Sequence, residues 1–468
     1  MKASSTEKSI PGPQALPMLG WRAGMFKLYS EPFRYLRSLH NTYGNIVALA
    51  KGDPSYVCAF GPEANFALLS QPDIFAVSAG PFEKLPEDTP LVRIGGNSLQ
   101  MMREEQHKQQ RHLLQPALHR QQIGNYRDYM VALTEHMLEH WQRLTELELY
   151  YEMEILTRNI VVKALFGIED EAEIEQLGKL LQQTVSSLTL ALLAPIDIPG
   201  LPYHRSMHMA GELENALLAL IERKRRQAEA NDLLAMLIRT SDEDGARLSD
   251  KQLISHTFTL FTAGHETTST ALTWSIFLLG QHPQIFADLL DELEATLHGE
   301  APTLEQLGQL PQLDRVIKES LRLMGPATIG QRRVIAPSYE LGGYTLPRDA
   351  TVIYSQFITH RMPELYAEPE RFLPERWSTL KRTAYEYLPF GAGQHRCIGA
   401  DFAMQEMKVV LSMILQRFRL EYLPGKPLAI DLTMRPRHGL PMRIRPQDRQ
   451  FRRIPVEGMI AELVDLRS

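Results

Sequence analysis

The chain has 468 residues, 44% of them hydrophobic, with a net charge of −6 and only two cysteines. That apolar content can bury a large core, and the acidic balance excludes a nucleic-acid binder, which needs a concentrated basic surface. Two cysteines exclude a disulfide framework and suit a reducing, cytoplasmic setting. Length alone would allow about three domains, but no Gly/Ser linker, charge block or internal repeat divides the chain. One mainly α domain with small β-sheets is therefore expected over residues 1–468.

In chain order, residues 1–10 are polar and carry neither the apolar core of a signal peptide nor a membrane anchor. A proline-rich stretch, Ile10-Pro11-Gly12-Pro13-Gln14-Ala15-Leu16-Pro17, follows. Alternating runs over 45–50 and 56–60, around Gly52-Asp53-Pro54, predict a hairpin with Cys58 as inert core. Strand signals return over 333–345 and near 440–444, and these scattered strands are expected to form one small sheet region. Helical periodicity covers 122–144, 152–166, 171–193, 204–230, 249–280, 283–297, 313–323 and 400–418. The Pro/Gly-rich stretch 75–96 is too irregular for a long helix, and its apolar Phe82 and Leu85 are candidates to line a pocket. Residues 188–202 carry Pro195, Pro199, Gly200 and Pro202 and fit a lid loop, with core packing as the alternative. The basic run 222–226 reads as a solvated helix face.

The pattern over 249–280 opens with Ser249 and Gln252 in capping-box spacing and stops at Gly280, with Pro283 beyond. At 1.5 Å per residue it would run about 48 Å. Apolar residues such as Leu253, Phe258, Phe261, Leu272 and Trp274 fall on every side, which marks a buried helix. Its polar centre argues against a membrane span. That centre is Ala263-Gly264-His265-Glu266-Thr267-Thr268, where an acid is costly unless satisfied or used. Thr267 can bond back to the Ala263 carbonyl and open the helix locally, leaving a groove beside Gly264. A buried acid paired with a distant Arg is the plainer alternative.

Glu319 and Arg322 stand three apart on one helix face, and Pro369-Glu370-Arg371-Phe372-Leu373-Pro374-Glu375-Arg376-Trp377 follows downstream. Next comes Phe390-Gly391-Ala392-Gly393-Gln394-His395-Arg396-Cys397-Ile398-Gly399, one thiol on a glycine-rich loop before an apolar helix. Glycines let such a loop turn tightly and approach a flat ligand, and the helix N-terminus favours a thiolate. Alone, a free cysteine is most often a small buried hydrophobe.

This loop resembles the haem-binding loop of the cytochrome P450 family, in which the cysteine thiolate is the axial iron ligand and favours O–O cleavage. Residues 263–268 resemble the family's oxygen-activating motif, which implies that Glu266 and Thr267 are the acid–alcohol pair relaying protons, with His265 outside the relay. Residues 369–377 resemble its meander segment, which implies a structural ion network of Glu319, Arg322 and Arg376. The resemblance places the haem propionates on His107, Arg111, Arg332 and His395, where the family commonly has Trp for His107 and Arg for His395. Phe390, Gly391 and Gly399 complete the cofactor loop, and 398–408 matches the family's helix after the ligand. The likeness runs from 11 to 446, and 448–468 extends beyond the usual ending.

The resemblance further implies haem b and a substrate pocket of Phe82, Leu85, Phe261, Thr262, Ala263, Ala327, Thr328, Ile329 and Met434. It fits a soluble, bacterial-type, monomeric member whose central motif is similar to that of long-chain fatty-acid hydroxylases. No Rossmann or flavodoxin pattern follows the haem motifs, so a separate ferredoxin or flavoprotein is the expected electron donor. Arg103, Lys108, Lys381, Arg382 and Arg396 are candidates for its basic docking patch. The implied activity is mono-oxygenation of a hydrophobic small molecule, fatty-acid-like or terpenoid, using dioxygen. A peroxide-driven peroxygenase and a haem sensor remain as alternatives.

Overall fold

The computed structural model describes residues 8–466 except 78–84, 103, 119, 194, 228, 242–244, 246 and 426. Its long helices are Arg127–Trp141, Leu149–Phe166, Glu171–Leu193, Pro202–Arg225, Asp250–Gln281, Pro283–Leu297, Pro311–Met324 and Ala400–Arg417. Each answers to an expected helix, with ends shifted for local reasons. The first expected helix begins late because its opening residues form short turns at Arg120–Ile123 and Gly124–Tyr126. The second begins early because the Glu148 side chain accepts the Tyr150 and Tyr151 N–H groups and caps it at Leu149. In the last, Phe418 leaves the helix and starts a strand.

The strands are β1 (Ile46–Ala48), β2 (Tyr56–Ala59), β3 (Phe75–Ala76), β4 (Glu146–Glu148), β5 (Gly330–Val334), β6 (Ser338–Leu341), β7 (Tyr344–Pro347), β8 (Thr351–Tyr354), β9 (Phe418–Tyr422) and β10 (Pro441–Pro446). The expected hairpin pairs Ile46 with Ala59, and Cys58 is core there, its thiol pushed up to about 12 by burial. The expectation of one sheet region is corrected. Among the described residues the strands form three sheets, ordered β1-β2-β8-β5-β3, β4-β10-β9 and β6-β7. The run 333–345 cannot continue as one strand because Pro337 interrupts it and Gly342 and Gly343 turn it back at φ 58° and 81°. β8, which pairs parallel to β2, was not anticipated.

The central helix, Asp250–Gln281, carries the anticipated capping box of Ser249 and Gln252 and is buried at every residue from Thr268 to Leu279. Gly264 lets the Leu149–Phe166 helix approach closely, since a Cβ there would meet Val161 Cγ2 at 3.0 Å. Thr157 Oγ1 donates to the His265 carbonyl at 3.0 Å and fixes the register between the two helices. His265 packs, as anticipated, with its ring on Phe261 and Nδ1 bonded to the Phe261 carbonyl. Within 188–202 the side chains of Ile196, Ile198 and Leu201 are exposed, so core packing does not describe them. No helix among the described residues is long and apolar enough to cross a membrane.

The C-terminal extension, without assigned role in the sequence, folds back onto the body. Asp448 accepts two hydrogen bonds from Arg419, Phe451 packs on Phe286, and Glu462 takes Arg34 Nε at 2.7 Å. Ile460, Leu463 and Val464 of the extension are buried.

The Ala400–Arg417 helix buries Glu406 completely, and neither carboxylate oxygen has a hydrogen-bond partner among the described residues. Burial pushes this carboxyl well above the usual range. The unfolded carboxyl ionises near about 4.3, so between that pH and the raised native value folding must carry a proton that the unfolded chain releases. Stability then falls with rising pH by about 1.4 kcal/mol per unit. Glu406→Gln is expected to raise Tm at pH 8 and leave it unchanged at pH 4, as thermal melts at the two pH values would show.

Candidate functional site

Between the central helix, the 326–332 segment and the loop before the Ala400–Arg417 helix lies a cavity of about 440 Å³. The loop is shaped by Gly391 and Gly393 at φ 67° and 69°, and a Cβ on Gly393 would stand 1.9 Å from the Leu69 carbonyl oxygen. The Cys397 N–H closes the turn onto the Phe390 carbonyl at 2.8 Å. Its side chain opens into the cavity and is exposed there. Burial raises the thiol pKa against the opposing pull of the Gly399 N–H, Arg111 and Arg396. The expected thiolate preference is thus not a property of the polypeptide alone, and a coordinated metal is what deprotonates such a thiol.

Four basic side chains from three distant segments meet at one edge of this cavity: His107, Arg111, Arg332 and His395. The His107 and His395 rings are 3.9 Å apart. Burial first, then Arg111 and Arg332, pushes His107 down to about 4. Burial, His107 and the same two arginines push His395 to about 3. His107 is buried and its Nδ1 has no partner among the described residues. The groups acting on both imidazoles are all basic, so the cluster calls for an anion.

The middle of the central helix is also part of the cavity wall. Ala263, Gly264, Thr267 and Thr268 face the cavity, and the Thr267 hydroxyl donates to the Ala263 carbonyl at 2.7 Å, as its spacing suggests. The helix nevertheless continues unbroken through this bond. Among the described residues Glu266 is not in the wall. Its carboxylate lies 3.6 Å from Arg435, a residue 169 positions away, and is 35% exposed, so it faces a distant Arg but is not the buried acid of the plainer alternative.

The Cytochrome P450 family model matches residues 10–446. The chain belongs to the cytochrome P450 family. It is 32% identical to cyclooctat-9-en-7-ol 5-monooxygenase of Streptomyces melanosporofaciens, over 93% of this chain and 95% of that one. It is 30% identical to a putative cytochrome P450 139 of Mycobacterium bovis, over 88% and 97%. A cyanobacterial CYP120A1 with retinoic acid bound superposes at a TM-score of 0.81 with 26% identity, over 94% of this chain and all of that one. As a cytochrome P450 mono-oxygenase the protein is an oxidoreductase with a haem-iron cofactor, and it uses dioxygen and a redox partner.

The residues of this cytochrome P450 fit that cofactor. A thiol faces the cavity, and a basic edge with an orphaned imidazole nitrogen suits carboxylate side arms. Behind the loop, Arg322 Nε and Arg376 Nε bond the Glu319 carboxylate at 2.9 and 3.0 Å. Trp377 Nε1 and the Leu373 N–H bond it too.

The predicted substrate pocket is only partly assembled. Ala263 and Ala327 line the cavity, whereas Leu85, Phe261, Thr262, Thr328, Ile329 and Met434 are not among the described lining residues, and Phe82 lies outside the described residues. Phe261 is instead buried under His265, the Thr262 hydroxyl turns back to Phe258 O, and Thr328 bonds the Leu432 carbonyl. Sequence reading missed the aliphatic wall of Leu114, Leu118, Val161, Leu165 and Leu233. Helical core residues give no signal that separates them from a cavity wall.

Proposed function

We propose that this cytochrome P450 inserts one atom of dioxygen into a hydrophobic molecule, terpenoid-like or fatty-acid-like, with electrons from a separate ferredoxin or flavoprotein. The observation that carries the reading is that Thr267 and Cys397 line one cavity. Cys397 would hold the iron of haem b, with Phe390, Gly391 and Gly399 shaping its loop and His107, Arg111, Arg332 and His395 taking the propionates. When bound, haem with thiolate ligation supplies oxygen activation. The chain's own part is to move protons and exclude bulk water. Thr267 Oγ1 gives its hydrogen to Ala263 O and keeps lone pairs toward the cavity, where they accept from a water or a bound reactant. Glu266, one residue away and partly exposed, is the acid that resupplies that water.

The aliphatic wall selects apolar substrates. Two similar proteins point the same way in name, one a mono-oxygenase of an unsaturated alcohol and the other holding retinoic acid. We assign the whole chain to one haem domain, monomeric and cytoplasmic. Lys108, Lys381 and Arg396 are exposed and belong to the donor-docking patch, whereas Arg382 is tucked onto Leu365 O and the Tyr366 ring. Arg103 lies outside the described residues.

Thr267→Ala tests the reading. With reductant and redox partners it is expected to divert electrons to hydrogen peroxide and lower coupling about 100-fold, the lower end for one general-acid group. Peroxide-driven turnover should be little changed. Full coupling in the variant would overturn the proton relay, and wild-type turnover with peroxide alone would favour a peroxygenase.

A further inference from the structure

Glu266 belongs to a cluster on the side of the central helix away from the cavity wall. The Leu149–Phe166 helix sets it up: Val161 abuts Gly264 and Thr157 bonds the His265 carbonyl. Tyr150, Glu154, Thr157 and Val161 share one face at helical spacing. The register that fixes the last two therefore carries Glu154, and then Tyr150, alongside Glu266. Arg435 arrives from the loop after β9, 3.6 Å from Glu266 and 3.3 Å from Asp431.

Glu266 and Asp431 thus share one guanidinium, which Glu154 also feels electrostatically. Arg158, on the same helix as Glu154, is engaged by Gln182 and Glu175 of the Glu171–Leu193 helix. The Tyr150 hydroxyl is buried beside Ser269. Burial and then Glu266 raise the Glu154 carboxyl above its ordinary range, against Arg435, Gln182 and Arg158. Burial, Glu154 and Glu266 raise the Tyr150 phenol. Arg435 is 46% exposed and Glu266 35% exposed at the side chain, so solvent reaches the outer edge.

We propose that Glu154 and Arg435 are positioning residues of the proton path: Arg435 holds Glu266 at the solvent edge, and Glu154, the second acid of the cluster, refills Glu266 after each delivery toward Thr267. The inference rests on Glu266 being the proton donor of the proposed relay. One proton leaves the Glu154 carboxyl for a Glu266 oxygen, one leaves Glu266 for water at the Thr267 hydroxyl, and solvent returns one to Glu154. No electrons move. Neither residue is in the 263–268 motif, and neither lines the cavity.

The test compares Glu154→Gln, Glu154→Asp, Arg435→Gln and Glu266→Gln in the haem-loaded protein. It is reduced by a plant-type ferredoxin and its NADPH reductase, with geranylgeraniol as the probe. Peroxide released per NADPH is followed from pH 6 to 9, together with the solvent deuterium effect. Glu154→Gln should raise the peroxide share about tenfold, less than the roughly 100-fold or more of a general acid at the reacting atoms because it acts through Glu266, and remove one ionisation from the pH profile. Glu154→Asp should restore most of it, and the carbon monoxide-bound Soret position should not move. In the apoprotein, infrared difference spectra of Glu154→Gln against wild type, followed as pH rises, should lose a protonated-carboxyl band that persists above the range of ordinary glutamates. A normal pH profile and coupling in Glu154→Gln and Arg435→Gln, with Glu266→Gln impaired, would overturn this inference alone. An unimpaired Glu266→Gln would overturn the relay on which it rests. If Glu154→Gln fails to fold, Arg435→Gln still decides: wild-type coupling and a wild-type pH profile in that variant overturn the proposal.

Discussion

Cys397→Ser is expected to abolish the red-shifted Soret band of the reduced, carbon monoxide-bound protein and to bring dioxygen-dependent turnover to background. A serine hydroxyl at this position is a hard, weakly acidic donor, whereas the iron chemistry depends on a soft anionic sulfur. The change should be confined to ligation. The side chain opens into the cavity instead of packing in the core, and the turn is closed by backbone, with the 397 N–H on the Phe390 carbonyl and Gly391 and Gly393 at positive φ. Apoprotein stability should therefore move by less than about 0.5 kcal/mol, as for substitutions that disturb neither packing nor buried polar pairs. Reduced carbon monoxide spectra, haem retained through gel filtration, and apoprotein melts separate the two effects. Retention of the thiolate-type band in Cys397→Ser would refute the assignment of the ligand.

The elements legible in the sequence were those written in local code. The capping box of Ser249 and Gln252, the helical spacing of the core and the glycine turns of the cysteine loop each depend on residues within a few positions, and each formed as anticipated. The coming together of Glu319, Arg322 and Arg376 and of His107, Arg111, Arg332 and His395 is long-range. It was anticipated only through resemblance to a family, because no local rule brings residue 107 to residue 395. What stayed hidden is what tertiary placement alone decides. Phe261 and Thr262 are neighbours of Ala263, yet one hundred degrees per residue turns them off the cavity while Ala263 faces it. Arg435 lies in an irregular loop with no periodicity to announce that it meets Glu266. The assignment of strands to three sheets depended in the same way on partners such as β2 and β8, nearly 300 residues apart.

Glu319→Ala is expected to be the most destabilising single change, at about 3–5 kcal/mol, because it strands buried cations. Arg322 and Glu319 are fully buried at the side chain and Arg376 nearly so. The carboxylate accepts bonds from Arg322, Arg376, Trp377 Nε1 and the Leu373 N–H, and Arg322 reaches on to the His360, Pro369 and Arg371 carbonyls. Removing the anion therefore leaves two guanidiniums short of a counter-charge and loosens the backbone that carries the cysteine loop. Burial alone would raise the Glu319 carboxyl, but Arg322 and Arg376 outweigh it and hold the pKa below the ordinary value. Its contribution is accordingly present above the unfolded pKa and lost as pH falls through the native one, the opposite sense to Glu406. Glu319→Gln, which keeps the shape and one acceptor, should lose less than Glu319→Ala. The surface pair Arg226–Glu222, 79% and 66% exposed, sets the baseline: Glu222→Ala should cost less than about 1 kcal/mol. Urea unfolding of the three variants measures the order. Equal losses for Glu319→Ala and Glu222→Ala would mean that the buried network contributes no more than a surface pair, and that the loop behind Cys397 is held by its glycine turns and packing instead.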